Sequence, residues 1–306
     1  MPGKLPTRRI GRDGSEVPAL GLGTMGLSAY YGTIDDDETR FKFLDRAYEL
    51  GATFWDTADV YGDSEELIGK WFKRTGKRDE IFLVTKKLGV DYIDLYYAHR
   101  IDGVTPIEKT MEALVKLKEA GKIKHIGLSE PSATTIRRAH AIHPLACVQM
   151  EYSPFSMDIE SPSTDILRTC RELGISIVAY SPMGRGFFTG AYRSPDDFEP
   201  GDVRRALLRF APENFARNLE MVDALREVAG REGVTVGRLT LAWLLAQGED
   251  ILPIHGTRRV GNLEENLAAL QIRLSEETVR EVRGMVVGER YPTTNLKSMF
   301  IDTPEL

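Results

Sequence analysis

Cysteine is scarce in this chain. Cys147 and Cys170 are the only two among 306 residues, which cannot supply a secreted-type disulfide framework and favours a reducing compartment, the cytoplasm. A basic excess is missing too: Lys plus Arg number 40 against 46 Asp plus Glu, a formal net charge of -6. Nothing there suits a nucleic-acid backbone, and no such partner is expected. No run approaches ~18 apolar residues and the first ten residues hold no apolar core, so neither a membrane span nor a signal sequence is expected. Metal-ligand clusters are equally thin, since His140 and His143 sit three apart without a third ligand nearby; no metal is expected. Cys147 opens an apolar run and reads as a small core residue.

What is present is a globular composition, 42% hydrophobic and 28% charged, with strand-length apolar runs alternating with amphipathic stretches. Eight strands are expected at about 19–23, 53–56, 81–86, 92–99, 123–129, 147–152, 176–180 and 251–254. Helical periods fill 36–50, 64–73, 106–120, 132–142, 165–173, 214–230, 236–247 and 263–269. Ser64 reads as a helix cap, while Gly51, Gly121 and Gly174 follow helices where a left-handed residue ends them. Ahead of the first strand, Arg8-Arg9-Ile10 and Glu16-Val17 flank a Gly-rich turn, a hairpin able to plug one barrel end. The pattern predicts an α/β fold, a single (β/α)₈ TIM barrel over residues 1–306.

One interval breaks the rhythm. Strand starts at Thr53 and Ile81 lie 28 residues apart, and those at Tyr92 and Ile123 lie 31 apart, but only 11 separate Ile81 from Tyr92. Parallel neighbours ordinarily need a crossover of a dozen or more residues, so the third βα crossover is missing. Either it was removed from the chain or a stretch is absent from the sequence as read. The second is the expectation, because a true deletion should open the barrel. It implies Lys86 and Lys87 far apart in space, an exposed hydrophobic flank on the third and fourth strands, and a pocket open on that side.

Gly21-Leu22-Gly23-Thr24-Met25-Gly26 matches a G-x-G-x-x-G string, but a dinucleotide fingerprint needs a helix opening at the third glycine, and 27–33 reads as loop. A glycine-lined strand end beside a pocket is the better reading. The strand ends carry the chemistry. Asp56 ends the second strand with Tyr61 in the loop beyond, Lys86 ends the third, and His99 ends the fourth. Barrel active sites sit at this face. An ammonium beside a phenol brings its pKa toward neutrality, Asp56 would keep Lys86 charged, and His99 could orient a carbonyl oxygen.

These and further motifs give the chain a resemblance to the aldo-keto reductases, (β/α)₈ oxidoreductases that use NADPH. It rests on Asp56-Thr57-Ala58 with Tyr61-Gly62, Thr85-Lys86, Asp94-Leu95-Tyr96 with His99-Arg100, Gly121-Lys122-Ile123 and Ile126-Gly127-Leu128-Ser129. It continues in Gln149 with Glu151-Tyr152-Ser153-Pro154, Ala179-Tyr180-Ser181-Pro182, Gly184-Arg185-Gly186, and Gly256-Thr257-Arg258 with Glu264-Glu265-Asn266. The tail from Glu289 looks like the fungal and plant branch.

The resemblance implies NADPH-dependent reduction of an aldehyde or ketone, with Asp56, Tyr61, Lys86 and His99 as the catalytic set and Tyr61 as general acid. It places Ser129 and Gln149 on the nicotinamide carboxamide and Tyr180 against the ring. Thr24 and Ser181 join the cofactor set, with Gly256, Thr257, Arg258, Asn262, Glu265 and Asn266 at the adenosine end. There a helix N-terminus and Arg258, ahead of Arg259, suit a 2′-phosphate. Two departures stand out: Glu130, where many members carry Asn, and His255, read as a loop residue. Two other functions remain open, a Schiff-base lyase using Lys86 and a nucleotide-binding regulatory subunit with little turnover.

Overall fold

A computed structural model describes residues 3–85, 90–285 and 302–305. Two short strands, β1 (Thr7–Arg9) and β2 (Glu16–Pro18), form an antiparallel hairpin. Eight more close into a parallel barrel: β3 (Gly21–Gly23), β4 (Phe54–Asp56), β5 (Phe82–Thr85), β6 (Ile93–Ala98), β7 (Ile123–Ser129), β8 (Cys147–Glu151), β9 (Ser176–Tyr180) and β10 (Ile251–Gly256), with β10 paired back onto β3. The hairpin is the expected plug. Its Ile10 and Val17 are fully buried against Phe54, Val84, Leu95, Tyr97, Cys147, Val178, Leu252 and Ile254 inside the barrel.

Around the barrel run α1 (Met25–Ser28), α2 (Asp37–Glu49), α3 (Ser64–Thr75), α4 (Ile107–Glu119), α5 (Ala133–Ile142), α6 (Ile166–Leu173), α7 (Pro212–Arg231), α8 (Val236–Leu245), α9 (Val260–Ala268) and α10 (Glu276–Gly284). Their apolar stripes explain the placement: α2 buries Phe43, Leu44, Ala47 and Tyr48, three to four residues apart along one face. Local chemistry sets the ends, as where Asp36 accepts from Thr39 N and Ser132 accepts from Thr135 N. No described helix is long and apolar enough to cross a membrane.

Three local expectations are corrected. Ser64 is the first residue of α3 and not its cap, because its hydroxyl turns inward to Thr24 and Thr57. The stretch after β3 is not all loop, since α1 makes one helical turn that includes Gly26. His255 lies in β10, fully buried, and not in a loop.

The larger correction concerns the missing crossover. The chain runs through all 306 residues, and β5 and β6 pair directly, Val84 with Leu95 and Thr85 with Tyr96, inside the closed barrel. A short connection therefore does not open the sheet. Seven residues, 86–92, reach over 20 Å when extended at ~3.3 Å each, more than the return from the end of one short strand to the start of its neighbour requires. Whether Lys86 and Lys87 stand apart lies outside the described residues.

The hydrophobic flank expected to be exposed on these strands is only partly so, with Phe82 of β5 and Tyr96 and Ala98 of β6 half-buried. Leu83 and Thr85 are fully buried, Leu83 among Leu67, Ile68, Trp71 and Phe72 of α3. At the foot of β6, Asp94 accepts from Leu83 N at 3.0 Å and pairs with Arg78 at 2.9 Å and Lys124 at 2.8 Å. The Tyr92 ring lies 4.2 Å from the Arg78 guanidinium and 4.1 Å from the Lys124 ammonium. This charged and aromatic cluster ties the start of β6 to β5 and β7.

Candidate active site

The C-terminal ends of the barrel strands bring the sequence-derived residues to one rim. Asp56 ends β4, 4% exposed, and its Oδ2 accepts from Gln149 Nε2 at 2.8 Å across the barrel mouth. Thr24 is fully buried and donates its backbone N–H and its hydroxyl to the Asp56 carbonyl, at 2.9 and 3.0 Å. It braces the strand end, its hydroxyl shared between the Asp56 carbonyl and Ser64 Oγ.

Tyr61 sits on the turn beyond β4, its N–H donating to Ala58 O at 3.1 Å. The next residue must be glycine: Gly62 has φ +56°, and a Cβ there would stand 2.6 Å from the Ser28 carbonyl. The Tyr61 ring meets His99 and Tyr30 edge-on, with centroids 6.4 and 6.2 Å away. Burial first, then the Asp56 charge, raises the phenol's pKa, while the Arg100 and Arg185 guanidinium groups pull it down. Lys86 lies outside the described residues.

Beyond His99, the Arg100 guanidinium donates to Ser129 Oγ at 2.9 Å, at the end of β7. Glu130 and Tyr180 are both drawn in here, and Arg185 follows on a left-handed turn with φ +58°, between Gly184 and Gly186. Glu130 Oε2, the Tyr180 hydroxyl and Arg185 Nε are buried without a hydrogen-bond partner. Orphaned buried polar atoms are costly and mark a place for a ligand's polar groups. Arg100 and Arg185 were read only as parts of motifs; an arginine just past a strand end, or held between two glycines in a rim loop, is the signal available for them. Ser181, beside Tyr180, is also left-handed and half-buried.

The remaining residues gather where β10 meets α9. Gly256 is exposed, and α9 starts without a side-chain cap, leaving its first N–H groups open to an anion. Thr257 Oγ1 accepts from Arg259 N at 3.2 Å, and Arg258 donates to Thr33 O. Asn262 is exposed on the first turn and Glu265 is half-buried. Asn266 is turned inward, 4% exposed, its Nδ2 3.3 Å from His255 Nδ1. The donor set fits a dinucleotide, with an uncapped helix end and arginines for phosphate at one side and unpartnered polar groups around Tyr180 at the other. Among the described residues no cluster of three or more His, Cys, Asp or Glu could hold a metal ion.

Known proteins resemble this chain over nearly its whole length. The model of the aldo/keto reductase family matches residues 19–87 and 85–286, in two pieces that meet where the third crossover is lacking. The chain is 50% identical to the aldo-keto reductase yakc [NADP(+)] of Schizosaccharomyces pombe over 339 aligned positions, 99% of each chain. It is 48% identical to the aldo-keto reductase str7 of Strobilurus tenacellus over 334, again 99% of each. The first alignment holds at least 33 positions that this chain lacks, 339 less its 306 residues. A solved thermostable aldo-keto reductase, Tm1743 with the inhibitor epalrestat, superposes with a TM-score of 0.74 at 30% identity, covering 92% of this chain and 100% of that one. The chain belongs to the aldo/keto reductase family of oxidoreductases.

Proposed function

We propose that the chain, working as one barrel domain in the cytoplasm, reduces a small aldehyde or ketone to the alcohol with NADPH. The observation that carries this reading is the Tyr61 phenol, half-buried at the rim with Asp56 and the His99 ring beside it. A raised pKa keeps its proton in place at neutral pH, available to a carbonyl oxygen bound at the mouth. His99 orients that oxygen by a hydrogen bond. The phenolate left after transfer is stabilised by Arg100 and Arg185 and by the Lys86 ammonium that the family resemblance implies.

NADPH, when bound, supplies the hydride equivalent for the carbonyl carbon. Tyr180 offers the stacking face for its ring and thereby selects which side of the ring meets the substrate. Ser129 and Gln149 hold the carboxamide, with Ser181 beside them. Gly256, Thr257, Arg258, Asn262 and Glu265 hold the adenosine end, where the N-terminus of α9 and Arg258 take phosphate. Thr24 and Asn266 act by positioning, Thr24 through Asp56 and Asn266 through His255.

The test is NADPH consumption by the purified protein across a panel of aldehydes and ketones, with cofactor affinity measured in parallel. Oxidation of NADPH matched by alcohol formation is the expected result. Tight NADPH binding with no turnover on any carbonyl would replace the reductase by a nucleotide-binding regulatory role.

A further inference from the structure

We propose that Glu130 sets the preference of this protein between the two redox forms of its nicotinamide cofactor, favouring the oxidised form as its carboxyl ionises. The inference rests on the cofactor placement of the preceding section.

Glu130 follows β7 directly and is held at φ +57°, a conformation that costs a side-chain-bearing residue ~1 kcal/mol or more. Its N–H donates to Gln149 O at 3.1 Å, tying it to the strand whose amide reaches Asp56. The side chain is 2% exposed. Oε1 accepts from Glu151 N at 3.1 Å, and Oε2 is buried with no partner.

Charged and titratable neighbours face it from three elements. Arg100 approaches from the end of β6 and favours the ionised form. On β8, Glu151 opposes it, with its own charge matched by Arg209 at 2.7 Å. From β9 comes the Tyr180 phenol, whose hydroxyl approaches the Glu130 carboxyl and favours its ionised form, and Arg185 in turn acts on Tyr180. Burial outweighs them and pushes the carboxyl up to about 7. Near neutral pH the group therefore exists in both forms.

The oxidised nicotinamide ring carries a positive charge that the reduced ring lacks; the rest of the cofactor is identical. A ring stacked on Tyr180 brings that charge beside the phenol that adjoins Glu130. A cation in a buried setting stabilises a nearby carboxylate and is stabilised by it to the same degree. NADP⁺ thus binds more tightly once Glu130 has lost its proton, and binding to the protonated form releases it. NADPH has no such dependence. The 2′-phosphate also titrates near pH ~6, but both redox forms carry it, so it cancels in their affinity ratio.

The experiment measures dissociation constants of NADP⁺ and NADPH, without substrate, from about pH 6 to about pH 8, for wild type and Glu130→Gln; the amide can still accept from Glu151 N. In wild type the preference for NADP⁺ over NADPH should rise with pH, by up to about tenfold for each pKa unit by which the bound cation lowers Glu130. In Glu130→Gln it should be flat. Calorimetry of wild type in buffers of different ionisation enthalpy gives a second measure that needs no variant: near pH ~7, NADP⁺ should release more protons than NADPH. A pH-independent ratio in wild type, or an unchanged slope in Glu130→Gln, overturns the inference while leaving the cofactor reading intact. Failure of both forms to bind removes that reading itself, and this inference with it.

Discussion

Gln149 Nε2 donates to Asp56 Oδ2 at 2.8 Å between strands on opposite sides of the barrel mouth. One bond thus joins the side chain proposed to hold the carboxamide with the carboxylate beside the Tyr61 phenol. Residues sharing a hydrogen bond respond together. Turnover in Gln149→Ala, Asp56→Asn and the double variant should be non-additive by about 1 kcal/mol or more. Additive losses would mean that the two groups act independently.

Tyr61→Phe removes the proposed proton donor and leaves the ring packed against His99 and Tyr30. Carbonyl reduction should fall by about 10² to 10⁴-fold with NADPH affinity nearly unchanged, because the proton is needed only in the transition state. Turnover above about one tenth of wild type would assign the acid elsewhere.

Arg258 donates to Thr33 O through one nitrogen and keeps other donors for a phosphate. Arg258→Gln should narrow the preference for NADPH over NADH by about ten to a hundredfold, the worth of a charge-assisted contact. Arg259, exposed at the helix entry, should matter less. An unchanged preference in the Arg258 variant takes that side chain out of the site.

Burial lowers His255 from 6.5 to about 4, and its Nε2 has no partner. A histidine kept neutral in the fold binds its proton more readily once unfolded. Its contribution is therefore complete above pH ~6.5 and is lost as pH falls toward ~4, by about 3 kcal/mol at the low end. Urea unfolding over this range should show a shallower acid decline in His255→Leu, whatever its starting stability. Parallel curves for variant and wild type would assign the acid loss to other groups.

Much of the architecture was legible because the strands are short apolar runs, several of them ending at or beside a polar residue at the rim: Asp56, His99, Ser129, Tyr180. Periodicity carried α2 to α9 but neither α1 nor α10, and the hairpin plug followed from its glycine-rich turn. Other features depend on tertiary contact. Arg78 belongs to no motif, yet its pairing with Asp94, 16 residues on, is part of what seals the short-linked strands. Thr24 reads as a pocket residue from its place after two glycines, and only packing shows its hydroxyl turned to Asp56 and Ser64. Asn266 lies on α9, and its inward orientation follows from the buried His255, which the apolar pattern leaves just beyond the last strand.

Asp94 is the centre of that seal, with side-chain exposure of 7% against 15% for Arg78 and 50% for Lys124. Asp94→Ala strands a largely buried guanidinium and an unpaired Leu83 N–H, and should lower unfolding free energy by about 3 kcal/mol. Lys124→Ala, at a half-exposed partner, should cost under about 1 kcal/mol. Equal small losses from the two variants would show that the cluster does not hold β5 and β6 together.

The short link between β5 and β6 also bears on the order in which the barrel is built. Val84 meets Leu95 across 11 residues of chain, while Phe54 meets Phe82 across 28 and Ile93 meets Ile123 across 30. Loop-closure entropy grows as (3/2)RT ln n, so the shortest of these pairings forms for about 0.9 kcal/mol less than the longest. Contacts close in sequence also form faster. In a barrel whose other neighbours must await a helix, β5 and β6 can meet first, as a two-strand template with Asp94 already beside Leu83. The short link thereby turns what is ordinarily a slow, long-range parallel pairing into a local one, and gives the barrel a seed on the side that carries His99.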